Sequence, residues 1–312
     1  MTRAGAAAGL RGAAMRLGGF SESRLWAYYL IVPSLLLILG IVLYPTLWGV
    51  GLSFREMRLN RPDLGTGFVG MKHYLAIWDD PVFWLSLRNT GIWVAGAALG
   101  ELLLGLLAAL LLNRELPGAR AASVLILLPW FLPNVVAGHM WALMLDPRLG
   151  VINDVLFKLG LVDAYKAWFA DPDIALAAAM AVEVWHGFPF FALLLLAGLK
   201  AIPRDFYEAA AIDGARALDT FRFITLPQLK AIIVAATILR VISLVNSPDI
   251  ILILTGGGPG RATQVLSLYA FLKVSKEYNF GYGGALAVLL FAMLMAFSYL
   301  YVRFSNVMDD GK

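Results

Sequence analysis

The feature that most constrains this chain is a series of six apolar stretches, each long enough to cross a bilayer as a helix. At ~1.5 Å per residue, roughly 20 apolar residues span the hydrocarbon core. The first lies within Leu25 to Phe54, a 30-residue run without a charge. The second, Thr90 to Leu112, is interrupted only by Glu101, and the third, Ala121 to Leu145, contains Pro129 and Pro133. Each of those prolines deletes a backbone donor, so the third span is expected to be kinked or broken. The remaining three are Ile174 to Leu199, Ala231 to Leu254 and Gly284 to Val302.

Composition agrees with that pattern. The chain is 60% hydrophobic and 15% charged, whereas soluble domains sit nearer half and a quarter. The expected class is therefore an all-α integral membrane protein with six transmembrane helices. A net charge of +4, with scattered basic residues, does not suit nucleic-acid binding. Without cysteine there are no disulfides, thiolate metal sites or cysteine nucleophiles. Arg3, Arg11, Arg16 and Arg24 precede the first apolar run as in a signal peptide, but the run is too long for one and is expected to be an uncleaved span. Its aromatics Trp26, Tyr28, Tyr29, Tyr44 and Trp48 suit the two membrane interfaces.

The expected organisation is an Ala/Gly/Arg-rich cytoplasmic tail over 1–24, a first span over 25–54, an extracytoplasmic loop over 55–88, a membrane core over 89–302, and a short cytoplasmic tail over 303–312. With both termini in the cytoplasm, the inside segments hold 13 basic residues in 73 positions and the outside segments 11 in 91. That bias follows the positive-inside rule. It places a polar connection, 203–228, in the cytoplasm.

Within that connection, Glu208 to Pro227 reads EAAAIDGARALDTFRFITLP. Pro203 suits a helix start, and Asp205 with Glu208 three residues later has capping-box spacing. The alanine run favours helix, Gly214 can take the left-handed conformation that ends one, and Pro227 is expected to stop a second short helix, Leu218 to Ile224. Ala209, Ala210 and Ala211 leave little side-chain bulk, which permits close approach by another surface.

This stretch resembles the cytoplasmic loop of binding-protein-dependent ABC importer permeases. LTGGGPGRAT at 254–263, FVGMKHYLAIWDDPVFWLSLRNT at 68–90 and EVWHGFPFFALLLLAGL at 183–199 are similar to the carbohydrate branch of that family. The resemblance covers most of residues 25–302. One departure is Ala231, where many relatives have a second proline. The resemblance implies a type I ABC importer permease fold whose coupling-helix loop docks on a separate ATPase. Glu208, Ala209, Ala210, Asp213, Gly214, Leu226 and Pro227 would then be the coupling residues.

It further implies a second related permease, two ATPase subunits carrying ATP and Mg, an extracytoplasmic solute-binding protein and a carbohydrate-like substrate. No cofactor would be bound by this chain, and the setting would be the inner membrane of a bacterium or archaeon. An ion-coupled secondary transporter is the alternative reading, since it too would place polar groups at the midplane.

Enzymatic constellations fail inspection. Gly256, Gly257, Gly258 and Gly260 are followed by Arg261 and Ala262, not by the Lys and Ser or Thr of a phosphate loop. His73, His139 and His186 lie far apart, with no carboxylate at ligand spacing. No G-x-S-x-G elbow occurs. The chain is not expected to be an enzyme.

Four charges fall inside the apolar stretches: Glu101, Glu183, Arg240 and Asp249. Each costs ~2.5 to 3.5 kcal/mol on insertion scales, so such groups face a bundle interior or a water-filled path. Two readings stand for Arg240. It forms a structural ion pair, with Glu183 the obvious partner, or it stands with Asn246 beside a polar substrate. Glu183, Arg240, Asn246 and Asp249 are the candidate pathway residues.

Overall fold

The computed structural model describes residues 24–114 and 117–305, so most of the two expected tails lies outside the described residues. The described residues are helical almost throughout, with two isolated β-bridges, Arg55 with Phe68 and Arg58 with Asn279. Among the described residues, five helices are long and apolar enough to cross a membrane, or six if a bent pair counts as one span.

The first span is built from α1 (Arg24–Leu37), a π-turn (Ile38–Leu43) and α2 (Tyr44–Leu52), and from Tyr28 to Val50 its large apolar side chains are exposed. The short helix α3 (Lys72–Trp78) leads into α4 (Pro81–Leu112). That helix starts nine residues before the expected Thr90. Pro81 is preset for a first turn, and the Asp80 carboxylate accepts a hydrogen bond from the Val82 amide.

The third span breaks as expected. Its halves, α5 (Ala119–Phe131) and α6 (Asn134–Met144), meet at 97°. Leu132, preceding Pro133, is extended at φ −72 and ψ 133, the conformation that a following proline ring imposes. After the surface helix α7 (Val151–Lys158), α8 (Ala175–Ala201) forms the fourth span and packs along α4 more extensively than any other pair of elements. A Cβ at Gly105 would stand 2.5 Å from the Cβ of Phe191, so α4 and α8 touch backbone to side chain at this level.

The polar connection departs from expectation in two ways. First, α9 (Arg204–Ile212) has Pro203 as its N-cap with no side-chain cap bond, so the Asp205–Glu208 capping box is not formed. Asp205 lies inside the first turn, beyond the cap position a box requires. Second, Pro227 does not stop a helix. The chain runs from α10 (Ala217–Thr220) through a π-turn (Phe221–Thr225) directly into α11 (Leu226–Asn246). Pro227 sits in the first turn of α11, where its missing donor is tolerated.

The fifth span is locally interrupted within the apolar stretch Ala217–Leu254. α11 ends at Asn246; Ser247, before Pro248, is non-helical at φ −111 and ψ 89, and α12 (Asp249–Leu254) restarts beyond it. A glycine-rich turn, α13 (Leu266–Ser275) and the last span α14 (Phe280–Phe304) complete the chain. The turn is fastened by Asn89, whose Nδ2 donates to the carbonyls of Arg261, Ala262 and Gln264.

Two apolar clusters form the interior. One gathers Trp93, Val182, Val241, Ile251, Leu268 and Leu286, and the other Ala109, Phe191, Leu195, Leu229 and Ala236.

Candidate functional site

Where α4, α8 and α11 cross, three charged side chains meet. Arg240 on α11 donates from Nε and Nη2 to the two carboxylate oxygens of Glu101 on α4, with the Nη2 bond at 2.7 Å. The same Nη2 donates to Glu183 on α8. The planar fork of a guanidinium is what permits the paired contact with Glu101. Glu101 is fully buried, and Glu183 and the Arg240 side chain nearly so.

Space for this cluster is made at Gly187. A Cβ there would lie 2.3 Å from both Arg240 Nη2 and Glu101 Oε1. The expected Arg240–Glu183 pair is therefore present, and Glu101 is a third member that pairing from sequence overlooked. Its signal was available, because it is the sole charge in the second apolar stretch. Arg240 is committed to two carboxylates, which makes it a tie between three spans.

The other two pathway candidates do not join the cluster. The break at Ser247–Pro248 carries Asp249 onto α12, where its Oδ2 accepts from Asn134 Nδ2 at 3.0 Å. The first residues of α6 and α12, each following a proline, are thus hydrogen-bonded to one another. His186 Nε2 donates to the Leu132 carbonyl at 3.0 Å, which satisfies an acceptor at the end of α5. Asn246 is exposed at the end of α11, beside a recess of about 310 Å³ that Ser267 and Ser298 also line. Asn134 was not foreseen; a polar residue after a proline inside an apolar stretch was the available signal.

At the polar connection, α9 ends in a Schellman turn. Gly214, at φ +76, donates to Ala211 O at 3.2 Å, and Ala215 donates to Ala210 O at 2.9 Å. Glu208, Ala209, Ala211, Ile212 and Asp213 are exposed, as are Leu226 and Pro227, whereas Ala210 is buried against the chain itself. Tyr207 and Thr225 share a hydrogen bond of 3.3 Å between hydroxyls, joining α9 to the π-turn that opens α11. The exposed surface of the connection is thus fixed to the helix that carries Arg240.

At the start of α4, Asp80 accepts from the hydroxyls of Tyr269 and Tyr282, the latter at 2.6 Å, and so ties α4 to α13 and α14. Burial pushes its carboxyl up, but the two tyrosine bonds, the Val82 amide and the Lys273 charge together hold it below the ordinary range.

The sequence profile described as "Binding-protein-dependent transport system inner membrane component" matches residues 101–309. The chain is similar to a sulfoquinovosyl glycerol transport system permease protein of Agrobacterium fabrum, 38% identical over 286 residues and 92% of each chain. It is similar to a trehalose/maltose transport system permease protein of Thermococcus litoralis, 36% identical over 93% of this chain and 97% of the relative. A bacterial ABC transporter that imports the acidic polysaccharide alginate shares the fold at a TM-score of 0.79 and 20% identity, over 93% of this chain and 98% of that one.

Proposed function

The chain belongs to the family of inner-membrane components of binding-protein-dependent transport systems, and we propose that it works in an ATP-driven importer whose cargo is a carbohydrate. Family membership leaves the ion-coupled alternative without support. In this reading the chain pairs with a second, related permease, and two ATPase subunits with their ATP and Mg supply the work. An extracytoplasmic binding protein delivers the sugar. Both termini and the 203–228 connection face the cytoplasm.

The observation that carries the mechanism is the continuity from loop to span. The exposed residues Glu208, Ala209, Asp213 and Gly214 form the ATPase contact, with Leu226 and Pro227 at its edge. Motion received there passes through Tyr207–Thr225 and the π-turn into α11. Arg240 then carries it to α4 and α8 through Glu101 and Glu183. The spans re-orient as a tied group between outward and inward openings. The exposed Asn246 and the half-buried Asn134–Asp249 pair stand at the helix breaks, where polar groups suit a hydroxyl-rich solute. Ala210, facing inward, supports the loop helix rather than touching a partner.

Affinity purification of the tagged chain tests the assembly. Recovery of an ATPase and a second permease is the expected result; recovery of the chain alone sinks the reading.

A further inference from the structure

Where α4, α8 and α11 cross, the three charges that meet do not balance. Arg240 sets one positive charge against the two carboxylates Glu101 and Glu183. The Glu101 side chain is fully enclosed, while those of Arg240 and Glu183 are 11% and 10% exposed. An uncompensated charge inside a low-dielectric core is costly, and carboxylates that share a site do not both ionise readily.

The elements packed around the cluster bring no second Lys or Arg, because Arg240 is the sole one in the six apolar stretches. Two further groups act on the charge of Glu183: His186, one turn along α8, and Asp249 on α12. Asp249 is another carboxylate, already bonded to Asn134. His186 Nε2 donates to the Leu132 carbonyl, and a charged imidazole would leave its Nδ1 proton without an acceptor among the described residues.

The two glutamates are held unequally. Arg240 gives Glu101 two hydrogen bonds, one to each oxygen, which suits an ionised carboxylate. Glu183 receives one, at Oε1, and no described residue bonds its Oε2. The residual exposure of the Glu183 side chain gives water a route to that oxygen, a route that Glu101 lacks.

We propose that this cluster is a binding site for one proton, carried on Oε2 of Glu183. Arg240 and Glu101 are then the ion pair, and Glu183 is a neutral acid whose Oε1 accepts from the guanidinium. The core becomes electrically balanced. The tie from Arg240 is correspondingly unequal: charged at both ends toward α4, and directed to a neutral acceptor toward α8. The assignment rests on the cluster and its place among the spans, not on the importer reading.

Infrared spectra of the purified complex at neutral pH, in an alkyl maltoside free of ester lipid, provide the test. Wild type minus Glu183→Gln should show the carbonyl stretch of a protonated carboxylic acid, displaced by exchange into D2O, with no loss of carboxylate bands. The thermal midpoint of Glu183→Gln should match that of wild type, because the amide keeps both the acceptor and the charge balance. Arg240→Gln, which strands Glu101, sets the scale of the loss that a broken charged tie produces.

Lost carboxylate bands without a carbonyl stretch would overturn the proposal, since both glutamates would then be ionised. A Glu183→Gln midpoint as low as that of Arg240→Gln would overturn it as well. If the carbonyl stretch survives Glu183→Gln and disappears in Asp249→Asn, the proton belongs to Asp249 and the assignment fails. Neither readout involves transport, so the importer reading stands or falls separately.

Discussion

Arg240 holds both carboxylate oxygens of Glu101 across 139 residues of sequence, and this contact joins the second and fifth spans inside the membrane core. Removing one member of a buried, hydrogen-bonded charge group leaves the other without compensation, typically at 3–5 kcal/mol. Glu101→Gln and Arg240→Gln should each lower the thermal stability of the purified complex markedly. The double variant should lose much less than the sum, with a coupling of at least about 1 kcal/mol. Strict additivity would mean that the contact contributes nothing.

Gly187 faces this cluster with no room for a methyl group. Gly187→Ala would press on Arg240 and Glu101 and should cost about 1–3 kcal/mol, as overpacking does. Thermal unfolding measured by loss of native fluorescence reads this directly. An unchanged midpoint would show that the cluster can shift aside freely.

Asn134 and Asp249 provide an exchangeable pair. Asn134→Leu deletes the donor to Asp249 and should destabilise by about 1–3 kcal/mol. Exchanging the two, Asn134→Asp with Asp249→Asn, keeps one donor and one acceptor and should recover most of the lost stability, read as the thermal midpoint of the purified complex. If the exchanged protein is as impaired as Asn134→Leu, the bond is incidental.

Asp80 should leave a mark on the acid side. Its carboxyl lies below the ordinary value of 3.8, so its contribution is complete above that value and is lost as pH falls through the lower, folded value. Replacing Tyr269 and Tyr282 by Phe removes two of the bonds that hold it down. The doubly substituted protein should be less stable than wild type at neutral pH and should lose less of its stability as pH falls through the acid range, because a smaller depression of the Asp80 carboxyl leaves less to lose. Identical acid limbs would assign the tyrosines no such role.

How much of this could be seen in the sequence depends on the kind of interaction. Helical spans were legible because hydrocarbon forces every backbone group to be satisfied locally, and apolar length records that. The break at Pro133 was legible because a missing donor is a local fact. Starts and stops were less so: Asp80 caps an α4 that starts nine residues before the expected Thr90, and Pro227 lies in the first turn of α11, just past a π-turn that composition does not announce. Among the buried charges, Glu183 was a natural partner for Arg240. Glu101 and Asn134 acquire their partners from residues 139 and 115 positions away, through helix crossings that no periodicity encodes. Asp249 was grouped with Arg240 on a single helix, and the turn at Ser247–Pro248 separates them.

The central claim is that work enters at the loop and reaches the spans through α11. Gly214 closes the loop helix at φ +76, with nothing within 4 Å of an added Cβ, so a substitution there acts through backbone conformation rather than through crowding. The most direct measurement is sugar uptake together with ATP hydrolysis in proteoliposomes containing the whole complex with Gly214→Val. The account predicts that the complex assembles and hydrolyses ATP while uptake per ATP falls at least about ten-fold, the fall expected when a left-handed turn is forced to carry a β-branched residue. Uptake per ATP equal to wild type would contradict it.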